Sequence, residues 1–362
     1  MIDFPSNPTV GQQFTAAGVT WQWDGTKWLA GGLASTVVGG INPNRLDNGD
    51  MWIDVHNAGA MITPTVGTFV TDRWLAYINE TTARFNYGQN YNGSPQPPAG
   101  FQYYLGAQSL AAHTPIATDL YGIEQGLECD MIGDCQWGTA NAQPMTLSFW
   151  VCSSLTGTFS GCIQNGPANR SYVFSYSIPT ANTWTKVVIT IPGDTGGTWV
   201  LTGSGVGMYV CFDLGSGANG RRAAGTWVAG AFAGATGAVN VVATNGAKWA
   251  VTGVKWELGN VATAFPVQSL DARYARCARY FNVAFAIVGG YNTAGNQVFS
   301  TLSFPAMRVV PTMTFISGTI SYTNCSNLVI GYAEVNSAYV AANITATGTG
   351  TATFYYQASA EI

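Results

Sequence analysis

Charged side chains are scarce in this chain, and that scarcity limits what it can fold into. Asp, Glu, Lys and Arg make up 9% of the 362 residues, against about 25% in ordinary soluble domains. The charged residues between positions 283 and 362 are Arg308, Glu334 and Glu361. Natural edge strands are usually protected by charge. The composition therefore favours a chain that is heavily buried, assembled with copies of itself, or built to present neutral polar and aromatic surface.

The rest of the composition favours strands and turns over helices. The sequence holds 44 Gly and 13% aromatic residues, and its polar residues are mainly Thr, Asn and Ser. A hydrophobic fraction of 47% is ample for packed cores. At this length, we expect two or three domains.

Charge and hydropathy exclude several classes of function. The net charge is −4 with 14 Lys and Arg, so no strongly basic patch is expected and nucleic-acid binding is excluded. No apolar run approaches the ~20 residues of a membrane helix. The first residues lack the basic and apolar regions of a secretory signal, so we expect folding in a cytoplasm. The seven cysteines should then be free, buried thiols.

Residues 1–65 are predicted to form a small aromatic hairpin module. Aromatic residues alternate from Trp21 to Trp28 around Asp24-Gly25, a two-residue turn that is typical of β-hairpins. With that turn, Trp21 would lie opposite Trp28. A second short strand is predicted at 50–55. A lone hairpin is marginally stable in water, so the module should lean on a partner.

Residues 66–266 are predicted to form one large β domain with the two-sheet architecture of a sandwich, because strand-like runs alternate with turn signals. The predicted strands include Met145–Cys152, Tyr172–Ile178, Trp184–Ile191, Val206–Leu214, Val239–Thr244 and Trp249–Glu257.

Residues 267–281 contain the one plausible helix, which joins this domain to a second β region at 282–362. Arg273, Arg276 and Arg279 recur every three residues, which keeps them near one helix face. Those arginines could pair with carboxylates of a neighbouring chain or be solvated, and solvation is the simpler interpretation. The strands predicted after the helix are Val283–Val288, Val298–Phe304, Met313–Ile316, Thr319–Tyr322, Leu328–Tyr332 and Thr351–Tyr356.

Two blocks of sequence resemble virion proteins of tailed bacteriophages. FPSNPTVG at residues 4–11 and WQWDGTKW at residues 21–28 resemble the N-terminal module of tail fibres and related appendages. The segment from GTANAQPMTLSFWV at 138–151 to VKWELG at 254–259 resembles a domain of phage tail-fibre and receptor-binding proteins. RCARYF at 276–281 is similar to the junction that follows this domain.

That resemblance, which covers roughly residues 1–281, implies a fold and an assembly. It implies a jelly-roll β-sandwich like that of carbohydrate-binding modules, in a homotrimer, and it brings no catalytic motif. The N-terminal module would attach to other virion proteins through Trp21, Trp23 and Trp28. A calcium site on Asp130, Asp134 or Glu128 remains an alternative, because jelly rolls often bind Ca²⁺, but we expect no cofactor.

The residues themselves offer little support for catalysis or metal binding. His56 and His113 lie in turn-like contexts outside any nucleophile motif. Cys129 and Cys135 miss the usual zinc spacing, although they could pair by oxidation outside a cell. Two acid pairs, Glu124 with Glu128 and Asp213 with Glu257, are the candidates for the 5–10 Å carboxylate spacing of a glycosidase.

Sugar binding accounts for the many aromatic residues better than catalysis or metal binding does, because flat rings stack on sugar faces. In the tip, the receptor-contact candidates are Tyr291, Tyr322, Tyr332 and Tyr339. In the central domain, the candidates are Trp74, Tyr77, Tyr87, Tyr91, Tyr103 and Tyr104. Aromatic residues in strands are more often core.

These observations predict an all-β structural protein of a phage virion, assembled in the host cytoplasm. We expect a tail fibre or receptor-binding protein that contacts host surface polysaccharide as a homotrimer. The predicted parts are an attachment module at 1–65, a jelly roll at 66–266, a helical junction at 267–281 and a β tip at 282–362. Two alternatives remain open: a capsid fibre, head decoration or neck appendage, and a polysaccharide-degrading appendage.

Overall fold

The structure is a computed structural model that describes residues 4–9, 12–16, 19–23, 26–30, 44–80, 82–93 and 95–362. The chain forms two compact units, Met1–Pro43 and Asn44–Ile362. Strands dominate the described residues, which contain a single α-helix. The predicted all-β class, with a jelly-roll sandwich and a short helical junction, is therefore confirmed. The boundaries of the four predicted domains stay predictions.

The first unit contains a three-stranded antiparallel sheet. Its strands are β1 (Gln13–Ala16), β2 (Val19–Trp23) and β3 (Trp28–Ala30). Trp23 lies opposite Trp28 in the ladder, so the predicted pairing of Trp21 with Trp28 is wrong. Four residues, rather than two, separate the paired positions, and this register brings the Trp23 and Trp28 rings to 5.7 Å. The predicted turn residues, Asp24-Gly25, lie outside the described residues.

The second unit begins with a large antiparallel sandwich. Its strands are β4 (Phe69–Thr71), β5 (Trp74–Ile78), β6 (Phe85–Gln89), β7 (Leu105–Ser109), β8 (Tyr121–Glu128), β9 (Met145–Ser153), β10 (Gly157–Asn165), β11 (Arg170–Ile178), β12 (Thr185–Ile191), β13 (Val206–Asp213), β14 (Arg221–Arg222), β15 (Trp227–Ala229), β16 (Gly234–Ala235) and β17 (Lys248–Leu258). One sheet has the order β15-β11-β10-β13-β8-β5-β4, and the other has the order β12-β9-β17-β7-β6. The strands β14 and β16 form a short parallel pair.

The core of this sandwich lies between the two sheets. The ring of Phe212 on β13 lies 5.0 Å from that of Phe149 on β9 and 5.5 Å from that of Trp249 on β17. These three side chains are at most 1% exposed. Successive side chains alternate across a strand, so the inward rings of the two sheets interlock and remove apolar surface from water.

Two predicted strands of this unit are absent from the described residues. Residues 50–55 form no strand, because the Asn48 side chain bonds the backbone N–H and C=O of Ile53 and replaces a strand partner. The Val239–Thr244 segment instead contains a single 3₁₀ turn, Val241–Ala243, whose buried valines pack on the core without joining a sheet. The other 3₁₀ turns are Tyr91–Gly93, Cys129–Met131, Gly133–Cys135 and Ala218–Gly220.

A smaller sandwich follows the helix α1 (Leu270–Ala278), which confirms the helix predicted within 267–281. Its strands are β18 (Phe281–Asn292), β19 (Gln297–Ser303), β20 (Thr312–Phe315), β21 (Ser321–Thr323), β22 (Cys325–Ala333), β23 (Ser337–Ile344) and β24 (Gly348–Ser359). β24 pairs with β18 along one edge and with β20 and β21 along the other, and β23 lies between β19 and β22. Residues such as Val340 and Phe354, both 0% exposed, form the core between these sheets.

Candidate functional site

The four predicted receptor-contact tyrosines are all exposed on the smaller sandwich. Tyr291 and Tyr332 are 72% and 73% exposed, and Tyr322 and Tyr339 are 44% and 38% exposed. Tyr291 on β18 and Tyr322 on β21 belong to one sheet, whereas Tyr332 on β22 and Tyr339 on β23 belong to the other. The structure therefore distributes the predicted contacts over two sheets.

Tyr339 belongs to a small apolar cluster on the outside of its sheet. Its ring stacks on that of Phe299 with 5.3 Å between the ring centres. A Cβ placed on Gly331 of the next strand would lie 2.3 Å from Cδ1 of Tyr339, so the ring crosses the strand where a side chain is missing. Phe299 and Val329 are themselves exposed. We call Phe299, Val329, Tyr332 and Tyr339 the β22–β23 patch.

A second apolar cluster lies on the outer face of the other sheet, and Tyr291 is the one member of it that the sequence predicted as a contact. Phe285 on β18 lies opposite Tyr355 on β24, and their ring centres are 5.2 Å apart. Ile287 and Tyr291 follow on the same face, and all four side chains are exposed. The alternation of large apolar residues with small or polar ones along 281–292 was the sequence signal that could have indicated this cluster. We call Phe285, Ile287, Tyr291 and Tyr355 the β18–β24 patch.

Most of the aromatic candidates in the central domain are core residues. Trp74, Tyr87 and Tyr104 are fully buried, and Tyr91 is 6% exposed. The interpretation of these four as sugar contacts is wrong, because Trp74 and Tyr87 pack into the core between the sheets, and Tyr91 and Tyr104 pack together in a separate buried cluster. Tyr77 and Tyr103 are half-buried.

The tryptophans predicted to attach the first unit lie in an aromatic cluster. Phe4 stacks on Trp28 with 5.3 Å between ring centres and meets Trp21 edge-on at 5.1 Å. Trp23 also packs against Trp28, and all three tryptophans are half-buried. The cluster brings the three predicted residues together.

The three arginines in helix α1 and directly after it pair with carboxylates of their own chain, so the expectation of solvated side chains or a neighbouring chain's carboxylates is wrong. Arg273 Nε donates to Asp50 at 2.7 Å, and Arg276 Nε donates to Asp47 at 2.5 Å. Arg279 pairs with Glu128. The sequence could not show this because each partner lies more than a hundred residues away.

The carboxylates of the two proposed acid pairs are each held by their own neighbouring groups. Glu124 and Glu128 lie on the same face of β8, four residues apart, with their Cα atoms about 13 Å apart, and the Glu124 carboxylate contacts the Cys211 thiol. The Glu128 carboxylate accepts bonds from Arg279 and Tyr280. Burial opposes ionisation of Glu128, but these bonds and the guanidinium charge lower its pKa.

The second acid pair, Asp213 and Glu257, lies on strands of opposite sheets. Asp213 accepts from Ser216 and Arg221, and burial raises its pKa despite the guanidinium. Glu257 pairs with the buried Lys255 at 3.0 Å. Both carboxylates therefore support local backbone rather than face a common cleft.

The two histidines, and the carboxylates of the loop considered as a metal site, are also held by neighbouring groups. His113 Nε2 contacts Asp119 at 2.7 Å, and His56 contacts Asp72 and stacks on Phe281. All seven cysteines are free and buried. Asp134 pairs with Arg45 and Asp130 accepts from the backbone N–H of Gly203. Within the described residues, no three His, Cys, Asp or Glu side chains converge as metal ligands.

A cleft with aromatic walls lies at the end of the sandwich nearest helix α1. The cavity measures about 470 Å³, within the range of about 300–1,000 Å³ typical of small-molecule sites. The sequence reasoning missed it, because its walls come from three distant segments. Its lining is Asp50, Trp52, Gly100, Phe101, Gln102, Phe265, Pro266, Val267, Gln268 and Arg273.

Comparison with known proteins gives fold neighbours at low similarity. No family model matches the chain, and no curated protein matches it. The enzymatically active domain of tailspike protein 4 of bacteriophage CBA120 aligns with TM-score 0.33 and 13% identity, over 60% of this chain and 21% of that one. The chain therefore spans about a fifth of the length of this tailspike chain.

Two other neighbours are named for carbohydrates. TmCBM61, solved in complex with β-1,4-galactotriose, aligns with TM-score 0.29 and 10% identity over 60% of this chain and 99% of that one. A family 11 carbohydrate-binding module from Clostridium thermocellum aligns with TM-score 0.26 and 12% identity over 56% of this chain and 96% of that one. None of these matches assigns the chain to a family.

Across the described residues, no helix has the length and apolar character needed to cross a membrane.

Proposed function

We propose that this chain is a structural, non-catalytic protein of a tailed-phage virion, a tail fibre or receptor-binding protein that contacts host surface glycan. The observation that carries the proposal is the outer surface of the smaller sandwich, where exposed aromatic rings coincide with a near absence of charge. The sequence resemblance of residues 1–281 to phage appendage proteins supports the virion location.

The β22–β23 patch, together with Tyr291, offers the chemistry that a neutral glycan needs. Sugar rings present apolar C–H faces that stack on aromatic rings, while amide and hydroxyl groups bind the sugar hydroxyls. Tyr291 and Tyr332 are the most exposed of the predicted rings. Clusters of exposed apolar side chains are a mark of binding sites.

Assembly as a homotrimer is part of the same proposal. The β18–β24 patch carries no charged residue, so copies of the chain can approach without electrostatic repulsion and gain from burying Phe285, Ile287 and Tyr355. Three copies would present three weak glycan sites at once, and avidity would raise the overall affinity. The aromatic cluster of the first unit would then attach each fibre to other virion proteins.

Three measurements on the full-length protein test this proposal. Light scattering should give a trimer, and a glycan array should give binding to neutral host polysaccharide. Tyr332→Ala should weaken that binding, whereas Tyr332→Phe should retain it, because stacking needs the ring and not the hydroxyl. A well-folded monomer would contradict the trimer, and equal binding by the alanine and phenylalanine variants would contradict the contact.

Two further measurements on the same protein distinguish the proposed function from its two alternatives, a polysaccharide-degrading enzyme and a decoration protein. Release of reducing ends from host polysaccharide would favour a degrading enzyme. A density map of the virion that places the chain on the head or neck, with the smaller sandwich covered by other virion proteins, would favour a decoration protein. A trimer at the distal tail with residues 282–362 outward would support receptor binding.

A further inference from the structure

We infer that the cleft beside helix α1 is a second binding site, for a short neutral saccharide. It lies in the larger sandwich and goes beyond the proposed tip contacts, because none of its residues belongs to either patch. The inference depends on the shape, the lining and the rigidity of the cleft.

The lining combines apolar rings with paired charges. Phe101 and Phe265 meet edge-to-face with 5.3 Å between ring centres, and both are half-buried, so part of each ring faces the opening. The charged lining residues, Asp50 and Arg273, pair with each other at 2.7 Å. The cleft therefore has no net charge to attract an ionic ligand, and its rings suit the C–H face of an uncharged sugar.

Polar groups at the rim can bind the hydroxyls of such a ligand. The Gln102 side chain is exposed and the Gln268 side chain is half-buried. The Asp50 carboxylate is held by Arg273 through one oxygen, Oδ2, and a carboxylate has lone pairs for more than one donor. Small-molecule sites usually combine a mainly apolar lining with a few polar groups of this kind.

The first wall is fixed by the residues around Trp52. Gln89 Nε2 donates to the carbonyl oxygens of Met51 at 2.6 Å and Trp52 at 3.0 Å. The Arg273 guanidinium lies 4.4 Å from the centre of the Trp52 ring, and the ring of Tyr103 meets it edge-on. Trp52 is therefore held through its backbone carbonyl and through its ring, and a ligand would find it in place.

The second wall depends on a bulge in β17. The pairing of β17 with β9 shifts register between Thr252 and Lys255, and Gly253 adopts a φ of +62° there. A Cβ on Gly253 would lie 2.5 Å from the Phe101 ring, so the bulge and the missing side chain make room for that ring. Thr252 Oγ1 also donates to the Tyr103 carbonyl at 2.7 Å.

The third wall is the segment after β17 that carries Phe265. Glu257 accepts from the backbone N–H of Thr263 at 2.9 Å, and the buried Lys255 donates to the carbonyl of Ala264 at 2.9 Å. A buried ion pair that binds backbone on both sides restrains the segment. With all three walls restrained, binding costs little ordering entropy.

Saturation-transfer NMR and calorimetry on the full-length protein test the inference, with glucose, galactose, N-acetylglucosamine and their β-linked disaccharides as probes. We expect binding of at least one neutral probe, weakened about tenfold or more by Phe265→Ala, which removes a stacking face. Gln102→Ala should also weaken it, and this exposed side chain can be removed without a risk to folding. Tyr332→Ala should leave it unchanged.

The outcomes separate this site from the tip. Loss of binding in Tyr332→Ala with full binding in both cleft variants would overturn the cleft site and leave the proposed function intact. If glucuronic acid binds and none of the neutral probes does, the inference that the ligand is neutral is overturned. No binding by any probe would overturn the cleft inference, while polysaccharide binding that depends on Tyr332 would still support the proposed tip contact.

Discussion

The guanidinium carbon of Arg73 lies 3.4 Å from the centre of the Tyr280 ring, and this contact joins the larger sandwich to the residue that precedes the smaller one. Arg73 is 1% exposed and also binds the Glu361 carboxylate and the Gly126 carbonyl. Burial disfavours the charged form, but the Glu361 carboxylate, with the further electrostatic contributions of Tyr280 and Asp47, outweighs it and raises the pKa of Arg73. The guanidinium is therefore charged, buried and paired.

We predict that Arg73→Met destabilises the protein by about 3–5 kcal/mol, because it leaves the Glu361 carboxylate buried without its partner. Urea unfolding of the variant measures the loss. The double variant Arg73→Met with Glu361→Gln should recover part of it, since no charge then remains unpaired. If the double variant loses the sum of both single losses, the two side chains are not coupled in the folded state.

Glu124 gives a pH-dependent prediction. Its carboxylate is half-buried beside the Cys211 thiol, and burial raises its pKa from 4.5 to about 7. The folded state therefore holds a proton that the unfolded chain has lost, and stability falls as the pH rises through this window. Replacement by glutamine removes the titration.

We expect Glu124→Gln to be more stable than the wild type above pH 7, by up to about 3 kcal/mol, with the difference vanishing below the unfolded pKa. Melting temperatures from pH 4 to 8 check it. Glu334→Gln is the matched control, because it makes the same exchange at an exposed side chain. A constant offset between Glu124→Gln and wild type would contradict the prediction.

Local patterns predicted most strands of the smaller sandwich correctly. Along β24, Gly348–Ser359, every second residue is buried, and this alternation is visible in the sequence as apolar and small residues separated by Thr, Tyr and Gln. The helix predicted at 267–281 also formed. β23, Ser337–Ile344, was missed because its central Ala-Ala-Asn has low strand propensity, and pairing on both edges holds it.

The cleft and the ion pairs could not be predicted, because both depend on distant residues. Asp50, Phe101 and Phe265 meet through a bulge in β17, and no local pattern encodes that meeting. The same holds for Arg276 and Asp47, which are 229 residues apart. Exposed tip tyrosines were predicted because the lack of charge around them is a local property of the sequence.

The cysteines give a third prediction. Burial raises the pKa of Cys135 and that of Cys152 to about 11, and all seven thiols are free and buried. Because the thiolate is the reactive form and access is blocked, we expect the native protein to react with Ellman's reagent slowly or not at all. In guanidinium without reductant, all seven should react. A titre of five would reveal a disulfide, and Cys129 with Cys135 would be the first pair to test.

The final prediction concerns the glycine beneath Tyr339. A methyl group on Gly331 would lie 2.3 Å from Cδ1 of Tyr339, so Gly331→Ala should displace the ring and break its stacking on Phe299. We expect a loss of about 1 kcal/mol. Tyr339→Ala should cost a similar amount, and adding Gly331→Ala to it should cost almost nothing, because the ring that the methyl group displaces is already gone. Additive losses in this double-mutant cycle would mean that Gly331 is required by its own strand rather than by Tyr339.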